Sequence, residues 1–404
     1  MLSSLVTLLA AATAFPGLAA VSRYTGFTTS ALIPWLHTGP DGTVDWELPV
    51  HLAFRVHILG TETGHIFRPL ADTGSQGVVL PAKLIDYDFN VSCEDQGGKK
   101  GWEYLSSSHR FYEGCWVPRD VSFNAQDDDR NLAVVTAHVN ILAMVNTSIC
   151  ANYSATHDPP CLDTHRNITS NSTTVAMLGI GFGRESSDSA SQVTRDKNPL
   201  RNITSIRLHD NTELDMAKFS AGYVISNRGI QVGLTDANTG PHTKFYQLQP
   251  MQNVSDWQGA QACITVDDVP TACGTALLDT GLVQSYLSLP PGTVGLHTVK
   301  TAKNQTLLRD GSRVKIVFGE PNGTVAATES FVVGAVSRKS ITPAWVAVSL
   351  KSPTFVNTGR FFYRGFEVAF DDANGYFGLK SLQPVDREVE GVDGGERFTV
   401  QEDS

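Results

Sequence analysis

Two copies of Asp-Thr-Gly, Asp72-Thr73-Gly74 and Asp279-Thr280-Gly281, stand 207 residues apart in this chain. Each follows an apolar lead-in and precedes a β-like run, in PLADTGSQGVVLP and ALLDTGLVQSYLSLP. Once, such a triplet reads as a turn capped by its own aspartate. Twice, in the same strand–turn–strand setting, it reads as a duplicated lobe presenting one carboxylate per copy. Two carboxyls held close cannot both ionise cheaply, so they share a proton and can serve one water molecule as base and acid. Asp72 and Asp279 are therefore the candidate catalytic residues. Thr73, Gly74, Ser75, Thr280 and Gly281 are their supports, the glycines letting backbone approach the carboxyls where a Cβ would crowd the turn.

The elements that hold these loops are strands. At 404 residues the chain can fold as one large two-lobed unit with a substantial core. Hydrophobic residues make up 41% and charged ones only 18%, with abundant Gly, Ser and Thr, as in an all-β protein rich in turns. The helix candidates are short, LPAKLIDY after the first motif and GRFFYRGF near the end. A net charge of −10 argues against a nucleic-acid partner. No cysteine pair has metal-ligand spacing and the histidines show no HExxH pattern, so neither a metal nor another cofactor is expected.

Further segments fall in order around the triplets. AMLGIGFG contributes Met177, Leu178 and Gly179; KFSAGYVISNRGIQVGL starts at Lys218; FVNTGRFFYRGFEVAFDDANGYFGLKSL contributes Gly359, an aromatic-rich helix and a last strand through Phe370 and Phe377. On these motifs, from about residue 45 to 380, the chain resembles the pepsin-like aspartic peptidases. There two apolar residues and a glycine thread behind each catalytic loop. The resemblance implies a bilobal double β-barrel with pseudo-two-fold symmetry and a cleft between the lobes. It places an N-terminal lobe at 45–226 and a C-terminal lobe at 227–382, after a 21–44 extension. It implies a monomer that hydrolyses polypeptide substrates at acidic pH. Thr73 and Thr280 would bond across the lobe interface, and the Ser75 hydroxyl would bond the outer oxygen of Asp72.

The chain departs from that pattern at several points. Leu282 occupies the place of a hydroxyl residue, which leaves Asp279 one hydrogen bond short. In SSHRFYEGCWVPRDVSF the tyrosine of the substrate-covering hairpin is best matched by Tyr112, with Trp116 as substitute, and the tip reads as shortened and tethered through Cys115. Val79 stands where a buttressing tryptophan is usual, and Arg360 follows Gly359 in place of aspartate. About 25 residues before Trp46 hold one basic side chain, Arg23, which leaves no room for an ordinary basic prosegment. These departures support a second reading, a pepsin-fold protein with little or no catalysis that binds a peptide or an extracellular protein.

Residues 1–20, MLSSLVTLLAAATAFPGLAA, read as a signal peptide cleaved after Ala19 or Ala20. No other segment is apolar enough for a membrane anchor, and residues 383–404 read as an acidic, disordered tail. Nine sequons, Asn90, Asn146, Asn152, Asn167, Asn171, Asn202, Asn253, Asn304 and Asn322, fit a secreted, extracellular glycoprotein, with vacuole or cell wall as alternatives. Six cysteines allow fifteen pairings. Sequence neighbourhood favours Cys93–Cys115, Cys150–Cys161 and Cys263–Cys273, the last stapling a hairpin that feeds into Asp279.

Overall fold

The computed structural model describes residues 23–58, 61–62, 65–163, 167–183, 194–252, 256–319, 323–335 and 340–382. The signal peptide, the acidic tail, Asn253 and Asn322 lie outside the described residues. The chain is mostly β, in a sixteen-stranded and a nine-stranded sheet. Alternation sets many strands. In Arg313–Gly319, Val314, Ile316 and Phe318 are buried while Arg313 and Lys315 are exposed, as in a sheet with one wet face. Gln76–Pro81, which follows the first motif, is buried at every position and is covered on both faces. The two helix candidates reduce to 3₁₀ turns at Ala82–Leu84 and Arg360–Arg364.

A long hairpin, Arg110–Gln126 with Leu132–Ile149, forms the spine of the larger sheet and pairs from end to end. Its turn is closed by Asn131, whose backbone N–H donates to Asp127 at 2.7 Å. Segments near both ends of the described residues join the same sheet. Gly222–Ser226 and Gly229–Val232 form a short hairpin, and the 226/227 division falls in its turn. Ala31–Pro34, from residues 21–44, pairs with one strand of this hairpin, and Phe366–Asp371 pairs with the other. Trp46, where the lobe assigned to 45–226 would begin, sits in a bend at φ 64° and stacks on Tyr363 at 4.9 Å. The first strand comes earlier because the apolar face of Ala31 and Ile33 is the one the sheet buries.

The smaller sheet runs from Ala260–Val266 to Phe355–Asn357. All three disulfides pair as the sequence favours, and Cys263 stands directly opposite Cys273 in the hairpin that leads to Asp279. A buried ion cluster ties distant segments together. Arg201 donates to Asp372 and to Asp256, each at 2.7 Å, with all three side chains fully enclosed. Among the described residues, no helix is long and apolar enough to cross a membrane.

Candidate active site

The strand Ala71–Asp72 lies parallel to Met177–Ile180, with Gly179 opposite Asp72. Met177–Ile180 also pairs antiparallel with Gln76–Pro81, so it threads behind the loop between those strands. Only a glycine fits there, since a Cβ on Gly179 would stand 2.5 Å from the Gln76 nitrogen. The second copy repeats the frame. Phe355–Asn357 runs parallel to Ala272–Leu277 with Asn357 opposite Leu277. Continued by two residues, that register sets Gly359 opposite Asp279.

The two loops lock together through their threonines. Thr73 N–H donates to Thr280 Oγ1 at 3.0 Å, and Thr280 N–H donates to Thr73 Oγ1 at 2.9 Å. Each hydroxyl then donates across to the strand leading into the other motif, Thr73 to the Leu278 carbonyl and Thr280 to that of Ala71, at 2.5 and 2.7 Å. Both threonines are buried, so no water competes for these bonds.

This lock brings the carboxyls face to face. A Cβ on Gly281 would lie 2.6 Å from Asp72 Oδ1 and 3.0 Å from Asp279 Oδ1, so an oxygen from each motif reaches the same point. A Cβ on Gly74 would lie 2.6 Å from Asp279 Oδ2. Each glycine thus makes room for the carboxyl of the other motif. Within its own loop, Asp72 accepts from Gly74 N–H at 2.8 Å and from the Ser75 hydroxyl at 2.6 Å. Asp279 accepts from Gly281 N–H at 2.7 Å.

With Leu282 unable to donate, the sequence predicts Asp279 to be one bond short. That expectation is corrected: Asn357 Nδ2 donates to Asp279 Oδ2 at 2.6 Å. Asp279 is nearly enclosed, whereas Asp72 is half-buried. Burial first, then the neighbouring charge of Asp72, pushes the Asp279 carboxyl up to about 7, against the pull of Asn357 and Gly281.

Tyr112 lies in the strand Arg110–Gln126, past a hairpin tip at residues 106–109. Its ring is buried in a small apolar cluster with Val79, Trp116, Leu142, Met144 and Met177, and burial raises its hydroxyl. Both aromatics considered for the hairpin therefore pack beside Val79, where a larger side chain would collide with them. The Cys115 bridge sits in the second strand of the hairpin. Near the tip, Tyr104 donates to the Cys150 carbonyl at 3.2 Å and stacks on Tyr153 at 4.1 Å.

Arg360 has a structural task. Its guanidinium donates to the Trp46 and Glu47 carbonyls at 2.9 and 2.7 Å, clamping that bend beneath the second motif. Tyr363 donates to the Leu278 carbonyl at 3.0 Å, the group that also accepts from Thr73. Among the sequons, Asn90, Asn152, Asn167, Asn171 and Asn304 are exposed, and Asn146 and Asn202 are half-buried. No family model matches the chain, and no curated protein matches it.

Proposed function

We propose that the protein is a secreted aspartic endopeptidase of the pepsin-like kind, a bilobal double β-barrel that cleaves polypeptides in acid with one water held between Asp72 and Asp279. The observation that carries this reading is the approach of two motif carboxyls across interlocked Asp-Thr-Gly loops. On this reading Asp72, the more open of the two, takes a proton from the water as it attacks the scissile carbonyl carbon. Asp279, whose burial favours the neutral form, donates to the carbonyl oxygen as charge develops there. The tetrahedral intermediate then collapses: Asp72 passes the proton it took from the water to the leaving nitrogen, the C–N bond breaks, and Asp279 recovers a proton from the intermediate's hydroxyl as the carbonyl re-forms, with no covalent bond to the protein. Three disulfides and exposed sequons support an extracellular setting.

The test is cleavage of a denatured protein by the purified glycoprotein from pH 3 to 6, with and without a statine-type transition-state mimic. Cleavage should be blocked by the mimic and lost in Asp72→Asn and Asp279→Asn. No cleavage at any pH would overturn the peptidase. The burial of Tyr112 and the tie between Tyr104 and Cys150 favour the second reading, a peptide-binding protein on the same scaffold. Its signature would be a mimic that raises the melting temperature while no substrate is cut.

A further inference from the structure

The two motif copies meet one requirement with different chemistry. In the first, the residue after Gly74 is Ser75, whose hydroxyl donates to Asp72 Oδ2 at 2.6 Å. In the second, the matching residue is Leu282, which has no donor. Asp279 Oδ2 nonetheless accepts a bond of the same length from Asn357, 78 residues further along the chain. We propose that Asn357 is the positioning residue of Asp279, replacing the missing hydroxyl with an amide, and that it confines any proton on Asp279 to the oxygen facing Asp72. The proposal rests on the preceding reading of the pair as catalytic.

The register shows that the amide is an addition to the duplicated frame. Gly179 and Gly359 occupy equivalent places, so the counterpart of Asn357 in the first copy is Met177, an apolar residue buried beside Val79. A polar side chain therefore appears at this position only in the copy that lacks the hydroxyl. Its orientation is fixed from the other side, since Asn357 Oδ1 accepts the Gly359 N–H at 3.0 Å. Turning the amide over would break both bonds. At 6% exposure the side chain also leaves little room for water to act in its stead.

The exchange of donor has a chemical consequence. A hydroxyl both donates and accepts, so Ser75 can rotate to accept if Asp72 is protonated on Oδ2. An amide NH₂ only donates. Asp279 Oδ2 is thereby held as an acceptor in both protonation states. Oδ1 also accepts an N–H, that of Gly281, but it shares the space in front of Gly281 with Asp72 Oδ1, so a proton there has a second carboxyl oxygen to bridge to, whereas Oδ2 faces the donating amide of Asn357.

The test uses the full chain carrying Asn357→Leu, alone and with Leu282→Thr, which restores a hydroxyl at the position matching Ser75. Asn357→Leu should lower kcat on a denatured protein roughly tenfold to a hundredfold, the effect of leaving a buried acceptor without its donor and the carboxyl without its aim, with KM within about threefold. Adding Leu282→Thr should restore most of that loss. A folded Asn357→Leu protein with wild-type kcat, or a double variant as impaired as the single one, would overturn the proposal.

A second measurement is independent of turnover. The Asn357 bond stabilises the charged form of Asp279, so in its absence stability should fall more steeply as the pH rises. The gap in melting temperature between Asn357→Leu and wild type should widen from pH 4 to 8, and should stay flat when Asp279→Asn is present in both. A gap that is constant with pH in the Asp279 background would mean packing alone, and would sink the idea. If the wild-type protein cuts nothing, the peptidase reading fails, while this second measurement still decides the role of Asn357.

Discussion

Replacing Glu329 with glutamine should stabilise the protein at pH 8 and leave it nearly unchanged at pH 4.5. Glu329 sits in Val325–Val332, opposite Ile316 of the neighbouring strand, and is only 1% exposed. Its Oε2 has no hydrogen-bond partner among the described residues. Burial pushes the carboxyl up to about 8 from an ordinary value of 4.5. The folded state therefore binds this proton more tightly than the unfolded chain does. Its cost is nil below about pH 4.5 and grows as the pH rises toward 8. At about 1.4 kcal/mol per unit, the cost at pH 8 is on the order of 4 kcal/mol. For a chain of this size, with about 2 °C per kcal/mol, Glu329→Gln should raise the melting temperature by about 8 °C at pH 8. Thermal scans of both proteins at the two pH values, at one ionic strength, measure the difference directly. An equal gain at both would assign the effect to packing. No gain at pH 8 would mean that the ionised carboxylate is solvated after all, and the reasoning from burial would fail.

Other expectations follow from single contacts. Arg201→Met leaves Asp256 buried without its cation and Asp372 with Arg195 alone, and urea unfolding at pH 7 should show a loss of about 3–5 kcal/mol; a loss under about 1 kcal/mol would show the cluster to be dispensable. Gly74→Ala sets a methyl 2.6 Å from Asp279 Oδ2, so cleavage of the denatured substrate should fall at least about a hundredfold. Wild-type turnover in that variant would refute the facing geometry. Asn202 donates both amide hydrogens, to the Arg195 and Asn198 carbonyls at 2.9 and 2.8 Å. A glycan would remove one of them, so mass spectrometry should find sugar at exposed Asn90, Asn167 and Asn304 and none at Asn202.

Much of the site is legible in the sequence because its information is local. Each Asp-Thr-Gly carries its own turn, and each disulfide closes a short loop whose partners are neighbours along the chain. The helix candidate LPAKLIDY fails beyond one turn because Asp86 takes a left-handed conformation at φ 49°, which ends any helix there. Asn357 is less accessible to such reading, because its partner stands in the loop after another strand and only register brings them together. A signal was nonetheless present. Met177-Leu178 precedes Gly179 in the first copy, whereas Asn357-Thr358 precedes Gly359 in the second. Two polar residues at the apolar positions of a repeated element are a local violation, and such violations mark places where function overrides packing.

The same contrast bears on how a duplicated site divides its labour. Two identical lobes would present two identical carboxyls, and nothing in the scaffold would favour one as acid. Here the copies differ in three respects that act together. Asp279 is the more enclosed, it takes its outer bond from an amide that can only donate, and that amide is anchored by the Gly359 N–H. Asp72 is more open and bonded to a hydroxyl free to rotate. Burial raises the Asp279 carboxyl toward its neutral form, and such a difference in environment is how paired carboxyls acquire separate roles. The amide bond alone would favour ionised Asp279, so the enclosure must outweigh it, as the upward shift to about 7 requires. Exchanging the donors, with Ser75→Leu to remove the first hydroxyl, should then harm the proposed base more than Asn357→Leu harms the proposed acid. Ser75→Leu removes the hydroxyl that fixes the outer oxygen of Asp72, and a base must keep its other oxygen aimed at the water.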